Sequence, residues 1–531
     1  MHKNYQGNMG GFKMRFSNAE ANEFYEYICE FCHSCKKIYI YGGGNYGKRC
    51  LSFLQKKKVQ IWGFITTEGG GDVLGIPVYK AEEILKELDL DSGIILAVKQ
   101  EYQKQILEQF SFSCNVMKIS AAEVMYMQTF VHLGELLDQA RYPFRKKLDS
   151  IEWKNILVVQ LESTFGDMIW STAFYRELKS AFAGAYIVAI INSKFVSLYY
   201  NCPYIDKIVS YECDTILQEV STEMEKKVNS FIKRTFAAPK FDAVFLPRLL
   251  PTSYADNWEN ILLAFASGAE NRIAHAMYVN QYQRYMCDII SELFTVVAKH
   301  TIAKHEVLHD LDMLTVCGCG YVHDDMELWI GDKDMEFSTS ILKDISEDVL
   351  LIAVALVGSS GTRSWSPCKY GNVFFELSRR YGNKIRFLLC GGTDANKASL
   401  KIPDEQKENC IDITGKTTLT EAAAVISRCA LYLGSDTGLM HMAASFGIPI
   451  IEISASNMET PDYWGSSPRR TGPWKVDSMV LRPKKGLDEC KYFCARPYAH
   501  CIDQVTEEQV VNALEDMICA RSKQLYYKNS K

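Results

Sequence analysis

The stretch that decides the fold is "LYLGSDTGLMHMAASFGIPIIEIS", Leu431 to Ser454. An apolar run ends in Ser435-Asp436-Thr437-Gly438, small and apolar residues at helical spacing follow, and a second apolar run closes the stretch. The period changes from strand to helix and back, which describes a strand, a crossover helix and a parallel strand. The acid, the hydroxyl and the glycine stand where strand becomes helix. Backbone N–H groups and the helix dipole favour an anion there, so the turn reads as a site for phosphate oxygens. A carboxylate is a poor direct neighbour for phosphate. Asp436 therefore caps the helix, organises the loop or faces a sugar hydroxyl. His441, one turn further on, reads either as a packed imidazole or as a ligand contact.

Outward from this stretch, β-branched apolar runs alternate with helical patterns along most of the chain, so the expected class is α/β with parallel sheets. At 531 residues the chain is too long for one core. The expected organisation is an N-terminal extension at 1–35, a small Rossmann-like domain at 36–119 and a helical linker at 120–150. A Rossmann-like domain at 151–345, a second at 346–504 and a C-terminal helix and tail at 505–531 complete it. The later pair begins with "NILVVQL", "AYIVAII" and "FDAVFL" and continues with "VLLIAVALVG", "IRFLLCGG", "ALYLGS" and "IPIIEIS". Residues 281–345 read as largely helical and irregular. Thr506 opens the closing helix with a capping-box pattern. Two such sheets facing each other leave a cleft at the carboxyl ends of their strands.

Composition excludes several classes. Hydrophobic residues make up 47%, charged residues 23%, and the net charge is -5, which is that of an ordinary globular protein with no overall pull toward nucleic acid. No window is apolar enough for a membrane span, and the N-terminus lacks a leader-like apolar region. The expected location is cytoplasmic, with peripheral contact at the inner membrane as a second placement.

Two further strand-to-helix turns carry charge. In "QLESTFGDMIWSTAFYRELK", Gly166 permits a tight approach and Asp167 stands at a helix start, where it reads first as an N-cap; a cap and a base are compatible roles. In "VGSSGTRSWSPCKYGNVFFEL", a Gly/Ser-rich loop carries Arg363 and Trp365 and leads through Pro367 into a helix. Arginine in such a loop pairs with diphosphate oxygens or is simply solvated. Asp-x-Asp triplets at Asp89/Asp91, Asp310/Asp312 and Asp332/Asp334 lack a strand-end setting, and the expectation is no metal there.

"FGDMIWSTAFYRELKSAFAGAYIVAI", "YYNCPYIDKIV", "GTRSWSP", "LLCGGTDA", the Asp-Thr-Gly-x-x-His stretch and "SPRRTGPW" together resemble glycosyltransferase family 9, the bacterial heptosyltransferases, in the family's order. The resemblance spans Ile151 to Arg521. It implies a GT-B pair of Rossmann-like domains, an acceptor domain followed by a nucleotide-sugar donor domain. It also implies inverting, metal-independent transfer of a heptose or similar sugar, with a nucleotide-diphosphate sugar as co-substrate and no cofactor. The acceptor would be lipid-linked or an oligosaccharide of lipopolysaccharide or another surface glycan. Asp167 maps onto the proposed base. Arg363 stands where the family usually has Lys. Gly391, Gly392, Ser435, Asp436, Thr437, Gly438 and His441 map onto the donor side. The alternatives are a nucleotide-sugar epimerase or a non-catalytic nucleotide-sugar-binding scaffold.

The N-terminal block carries Gly42, Gly44 and Gly47 in "YIYGGGNYGKRC", a Gly-x-Gly-x-x-Gly between strand and helix, and resembles the small Rossmann-like domains of surface-polysaccharide enzymes. The acid expected at the end of the next strand is replaced by Thr66 and Thr67, so a nucleotide site and a bare scaffold both stay open. Most of the 18 cysteines sit singly in apolar runs. Cys490, Cys494 and Cys501, with His500, cluster near the end. Packing or a local disulfide is the first reading and zinc the second.

Overall fold

The computed structural model describes residues 30–118 and 152–529, together with 28 and 148. It has breaks at 57, 99, 110–112, 163, 214–221, 237–240, 248–253, 278–290, 292, 301–302, 359, 488–489 and 491–497. Residues 1–27 and 29 of the expected extension at 1–35, and all of the expected linker at 120–150 except 148, lie outside the described residues, as does Cys494. The chain divides into two compact units, Met1–Arg141 and Tyr142–Lys531.

The first unit holds a six-stranded sheet of order β3-β4-β2-β1-β5-β6. Its strands are β1 (Lys37–Tyr41), β2 (Ile61–Thr66), β3 (Asp72–Val73), β4 (Ile76–Lys80), β5 (Ser92–Leu96) and β6 (Asn115–Lys118). All pairings are parallel except β3 with β4. The interior strand β5, "SGIIL", is buried throughout, as a strand covered on both faces requires.

The second unit holds two six-stranded sheets. One is built from β7 (Asn155–Gln160), β8 (Tyr186–Asn192), β9 (Lys207–Tyr211), β10 (Ala243–Leu246), β11 (Asn271–Met277) and β12 (Val296–His300). The other comprises β13 (Leu350–Ala355), β14 (Ile385–Cys390), β15 (Cys410–Asp412), β16 (Leu431–Gly434), β17 (Ile450–Ile453) and β18 (Ser478–Leu481). Their orders, β12-β11-β10-β7-β8-β9 and β15-β14-β13-β16-β17-β18, follow one scheme. The first strand is central, with strands to either side of it that follow in sequence. That is the doubly wound Rossmann arrangement, with a switch point beside the first strand where ligands bind.

β9, β11, β12, β15 and β18 complete these sheets beyond the runs picked out from sequence. Residues 281–345 correspondingly include β12 and the helices Glu306–Val316 and Asp332–Ile341. The closing helix, Glu507–Asn529, starts as expected. The Thr506 amide donates to Gln509 Oε1 at 2.9 Å, and the Gln509 amide donates to Thr506 Oγ1 at 3.2 Å. Val510, Leu514 and Met517 bury that helix against the second sheet's core. Among the described residues, no helix is long and apolar enough to cross a membrane.

Candidate active site

The turn after β16 begins where Gly434 sits level with Ala355 of β13, and Ala355 with Cys390 of β14. The loops that follow therefore leave one edge of the sheet side by side: Arg363's loop from β13, Gly391-Gly392 from β14, and Ser435–Gly438 from β16. Gly391 has φ +128° and a Cβ there would lie 2.6 Å from the Ala395 Cβ, so the sharp exit from β14 requires glycine. Gly392 is the N-cap of the helix Thr393–Ser399.

Thr437 is the N-cap of the helix Gly438–Ser445, so Asp436 stands before the cap. Asp436 is instead the centre of a charged group. Arg363 Nη1 lies 3.5 Å from its Oδ2, the Thr471 hydroxyl donates to the same oxygen at 3.3 Å, and His441 Nε2 is 3.6 Å from Oδ1. The Thr437 and Tyr432 hydroxyls are 3.2 Å apart.

His441 is buried, and its tautomer follows from its partner. The Trp170 indole N–H donates to Nδ1 at 3.1 Å; indole is only ever a donor, so Nδ1 carries the lone pair and the neutral ring's proton sits on Nε2, facing Asp436. Trp170 belongs to the other sheet's half of the unit, so this bond joins the two lobes.

The same junction contains the second strand-to-helix turn. A Cβ on Gly438 would lie 2.2 Å from Phe165 Cε2. A Cβ on Gly166 would meet His441 Cδ2 at 3.0 Å and Gly438 Cα at 3.2 Å. The N-termini of the helices Phe165–Trp170 and Gly438–Ser445 thus touch through two glycines. Asp167 follows Gly166 directly and is half-buried. Its expected N-cap position is corrected: Thr164 is the N-cap, and Asp167 lies within the first helical turn.

Arg363 ends a short 3-10 turn, Gly361–Arg363, and its side chain is 34% exposed. Trp365 anchors that loop from below, fully buried, with its indole N–H donating to the Val505 carbonyl at 3.0 Å. Of the Asp-x-Asp residues, Asp310 accepts from Ser171 Oγ at 2.6 Å, Asp312 pairs with Lys304 at 2.7 Å and Asp334 accepts from Thr420 at 3.1 Å.

Two features escaped sequence reading. Glu452, in the otherwise apolar strand β17, is buried, and its carboxyl is pushed up to about 8, first by burial and then by the nearby Asp436 charge. A lone acid inside "IPIIEIS" is the signal that could have revealed it. Arg470, in "SPRRTGPW", is 7% exposed and donates through Nε to Glu306 Oε1 at 2.7 Å; Glu306 is 1% exposed and belongs to the other lobe. Beside this pair His305 stacks on Trp474 with centroids 4.4 Å apart, and its Nε2 donates to the Gly472 carbonyl at 3.0 Å. The Val307 amide donates to its Nδ1, so the ring is neutral, and burial holds it down to about 3.

In the first unit the glycine turn is also present. Gly42 has φ +113° and donates to the Ile65 carbonyl at 2.9 Å, while a Cβ on Gly47 would lie 1.7 Å from the Gly42 oxygen. Gly44 faces open space. Thr66, at the position of the missing acid, accepts from the Gly69 amide at 2.9 Å.

Residues 332–496 match the glycosyltransferase family 9 (heptosyltransferase) profile. This segment contains Arg363, Gly391, Gly392, the Ser435–Gly438 turn and His441, whereas Asp167 precedes it. Lipooligosaccharide heptosyltransferase 2 of Haemophilus influenzae is 33% identical over 85 residues, covering 16% of this chain and 22% of that protein. Lipopolysaccharide heptosyltransferase 2 of Salmonella typhimurium is 27% identical over 151 residues, covering 27% and 41%. The chain thus matches less than half the length of these relatives. In fold, a glycosyl transferase family 9 structure from Veillonella parvula superposes with a TM-score of 0.55 at 19% identity, over 70% of this chain and 99% of that one. The paired Rossmann sheets of the second unit are a GT-B arrangement.

Proposed function

With residues 332–496 a glycosyltransferase family 9 domain, we propose that this chain transfers a heptose or similar sugar from a nucleoside diphosphate donor to a hydroxyl of a lipopolysaccharide or other surface-glycan acceptor. The observation that carries the reading is the contact of the two helix starts, Phe165-Gly166 on Gly438 and His441. It puts the Gly-Asp turn of one lobe against the Asp-Thr-Gly turn of the other.

A sugar hydroxyl is a weak nucleophile at neutral pH. In the proposed step Asp167 accepts its proton as the acceptor oxygen bonds to the anomeric carbon. The bond from that carbon to the diphosphate oxygen breaks, with inversion, and both bonding electrons leave with the nucleoside diphosphate. Its growing negative charge is met by the Arg363 guanidinium and by the amides opening the helix Gly438–Ser445. These groups supply the neutralisation that a metal provides in other transferases. Asp436 orients Arg363 and accepts from Thr471, while His441, held neutral by Trp170, presents Nε2–H toward the same carboxylate. The Glu306–Arg470 pair and the His305–Gly472 bond hold the lobes together around this edge.

The test is nucleoside diphosphate release from a panel of nucleotide sugars, ADP-heptose first, with and without deacylated surface glycan. The expected result is acceptor-dependent release with a glycan product heavier by one sugar. An isomerised nucleotide sugar without transfer would assign an epimerase instead, and no turnover of any donor would make the chain a binding protein.

A further inference from the structure

We propose that Cys490, His500 and Cys501 form a structural zinc site in the segment between β18 and the C-terminal helix. Their ligand atoms all lie within 4.8 Å of one another. Cys501 Sγ is 3.5 Å from His500 Nδ1, and Cys490 Sγ is 3.9 Å from both ring nitrogens. With Zn–S near 2.3 Å and Zn–N near 2.0–2.1 Å, the edges of a tetrahedral site are roughly 3.6 Å for S···N and 3.8 Å for S···S. Both S···N separations therefore lie within a few tenths of an ångström of the edge one ion requires, and the two sulfurs lie within 4.8 Å of each other.

The surroundings suit a structural ion. Cys490 is 7% exposed and Cys501 2%. The Leu487 amide donates to Cys501 Sγ at 3.4 Å, the kind of hydrogen bond that holds a metal-bound thiolate's charge. Thiols are weak hydrogen-bond donors, so packing alone gives little reason to place an imidazole between two of them. The three protein donors leave the fourth tetrahedral position to water.

The ion would tie Cys490 to the His500–Cys501 segment. Gln504 already donates to the Lys485 carbonyl at 2.8 Å, and the Val505 carbonyl receives the Trp365 indole. The site thus braces the floor beneath the Arg363 loop without touching the reacting groups.

The experiment uses the full chain, purified, incubated with zinc and dialysed, with metal measured by mass spectrometry. The expected result is about one zinc per chain, kept by Cys368→Ser and reduced at least about tenfold in the double variant Cys490→Ser/Cys501→Ser. Cobalt substitution is expected to give the intense visible bands of tetrahedral thiolate ligation. Should the double variant fail to fold, the unaltered chain decides. Chelation is expected to lower its melting temperature and expose two thiols to a thiol reagent, and added zinc to reverse both. Absence of zinc from the unaltered chain, thiol reactivity indifferent to zinc, or an intact mass two hydrogens lower from a disulfide would each overturn the proposal.

Discussion

Two turns in this molecule share one design, a buried strand, glycines and a helix start, yet differ in what surrounds them. After β1, Gly42 and Gly47 serve the backbone itself: one adopts a positive φ, and the other lets its own helix pass over the Gly42 carbonyl. After β16, Gly438 lets a residue of another lobe approach, and the turn gathers Arg363, Thr471 and His441 around Asp436. The same local geometry meets a backbone requirement in one place and gathers a charged junction in the other. A glycine motif therefore reports a backbone need, and its chemistry depends on what the rest of the chain brings to it.

The comparison breaks most severely if the charged junction is not catalytic. Asp167→Asn is expected to lower kcat by about a thousandfold with donor KM little changed, the loss typical of a missing general base. Steady-state kinetics decides it, and an Asn variant with full turnover and an unaltered pH profile removes Asp167 from the mechanism.

Gly438→Ala tests the lobe contact. Its methyl overlaps Phe165, and overpacking of this kind costs about 1–3 kcal/mol, so the thermal midpoint falls and donor turnover drops about ten- to a hundredfold. Trimming the ring in Phe165→Ala/Gly438→Ala is expected to recover part of both.

Glu452 sharpens the electrostatics. Above pH 8 its ionisation adds a second negative charge beside Asp436, so donor KM is expected to rise by up to about tenfold per pH unit, and Glu452→Gln is expected to flatten that rise. The stability linkage has a definite sign. The folded-state value lies above the unfolded one, so the contribution is full below the ordinary Glu value of about 4.3 and is lost as pH rises through 8. His305 acts at the other end of the scale. Its folded-state value lies below the unfolded one of about 6.5, so its contribution is present above that value and is lost as pH falls through 3. Thermal unfolding of the two variants, Glu452→Gln and His305→Gln, against pH separates these contributions.

The smallest effect belongs to the other turn. A methyl added at Gly44 would have nothing within 4 Å, so Gly44→Ala is expected to shift stability by less than about 0.5 kcal/mol. A nucleotide-induced thermal shift present in the parent and lost in Gly44→Asp would show that this turn, too, binds an anion.

Much of this was legible in the chain. The strand-to-helix changes of period located the three glycine turns, and the Pro367 and Thr506 helix starts stand where their capping chemistry put them. Short or edge strands such as β15 and β18 were not, because a few half-buried residues carry little pattern. Glu306 and Arg470 were illegible for a different reason. They are 164 residues apart, and nothing local to either marks a buried charge pair. Asp436 was readable as an acid at a turn, but not as the partner of Arg363.

By itself, then, the sequence determined the main alternation of strands and helices, the glycine turns after β1, β7 and β16 and the family resemblance, since these depend on period, glycine and neighbouring residues. Tertiary structure alone decided which turns meet, that His441 is neutral at Nδ1, that Glu452 sits beside Asp436 and that three sulfur and nitrogen donors converge. Each of those depends on a separation in space that local period and turn chemistry do not set, and burial sets the charge state only once that separation exists.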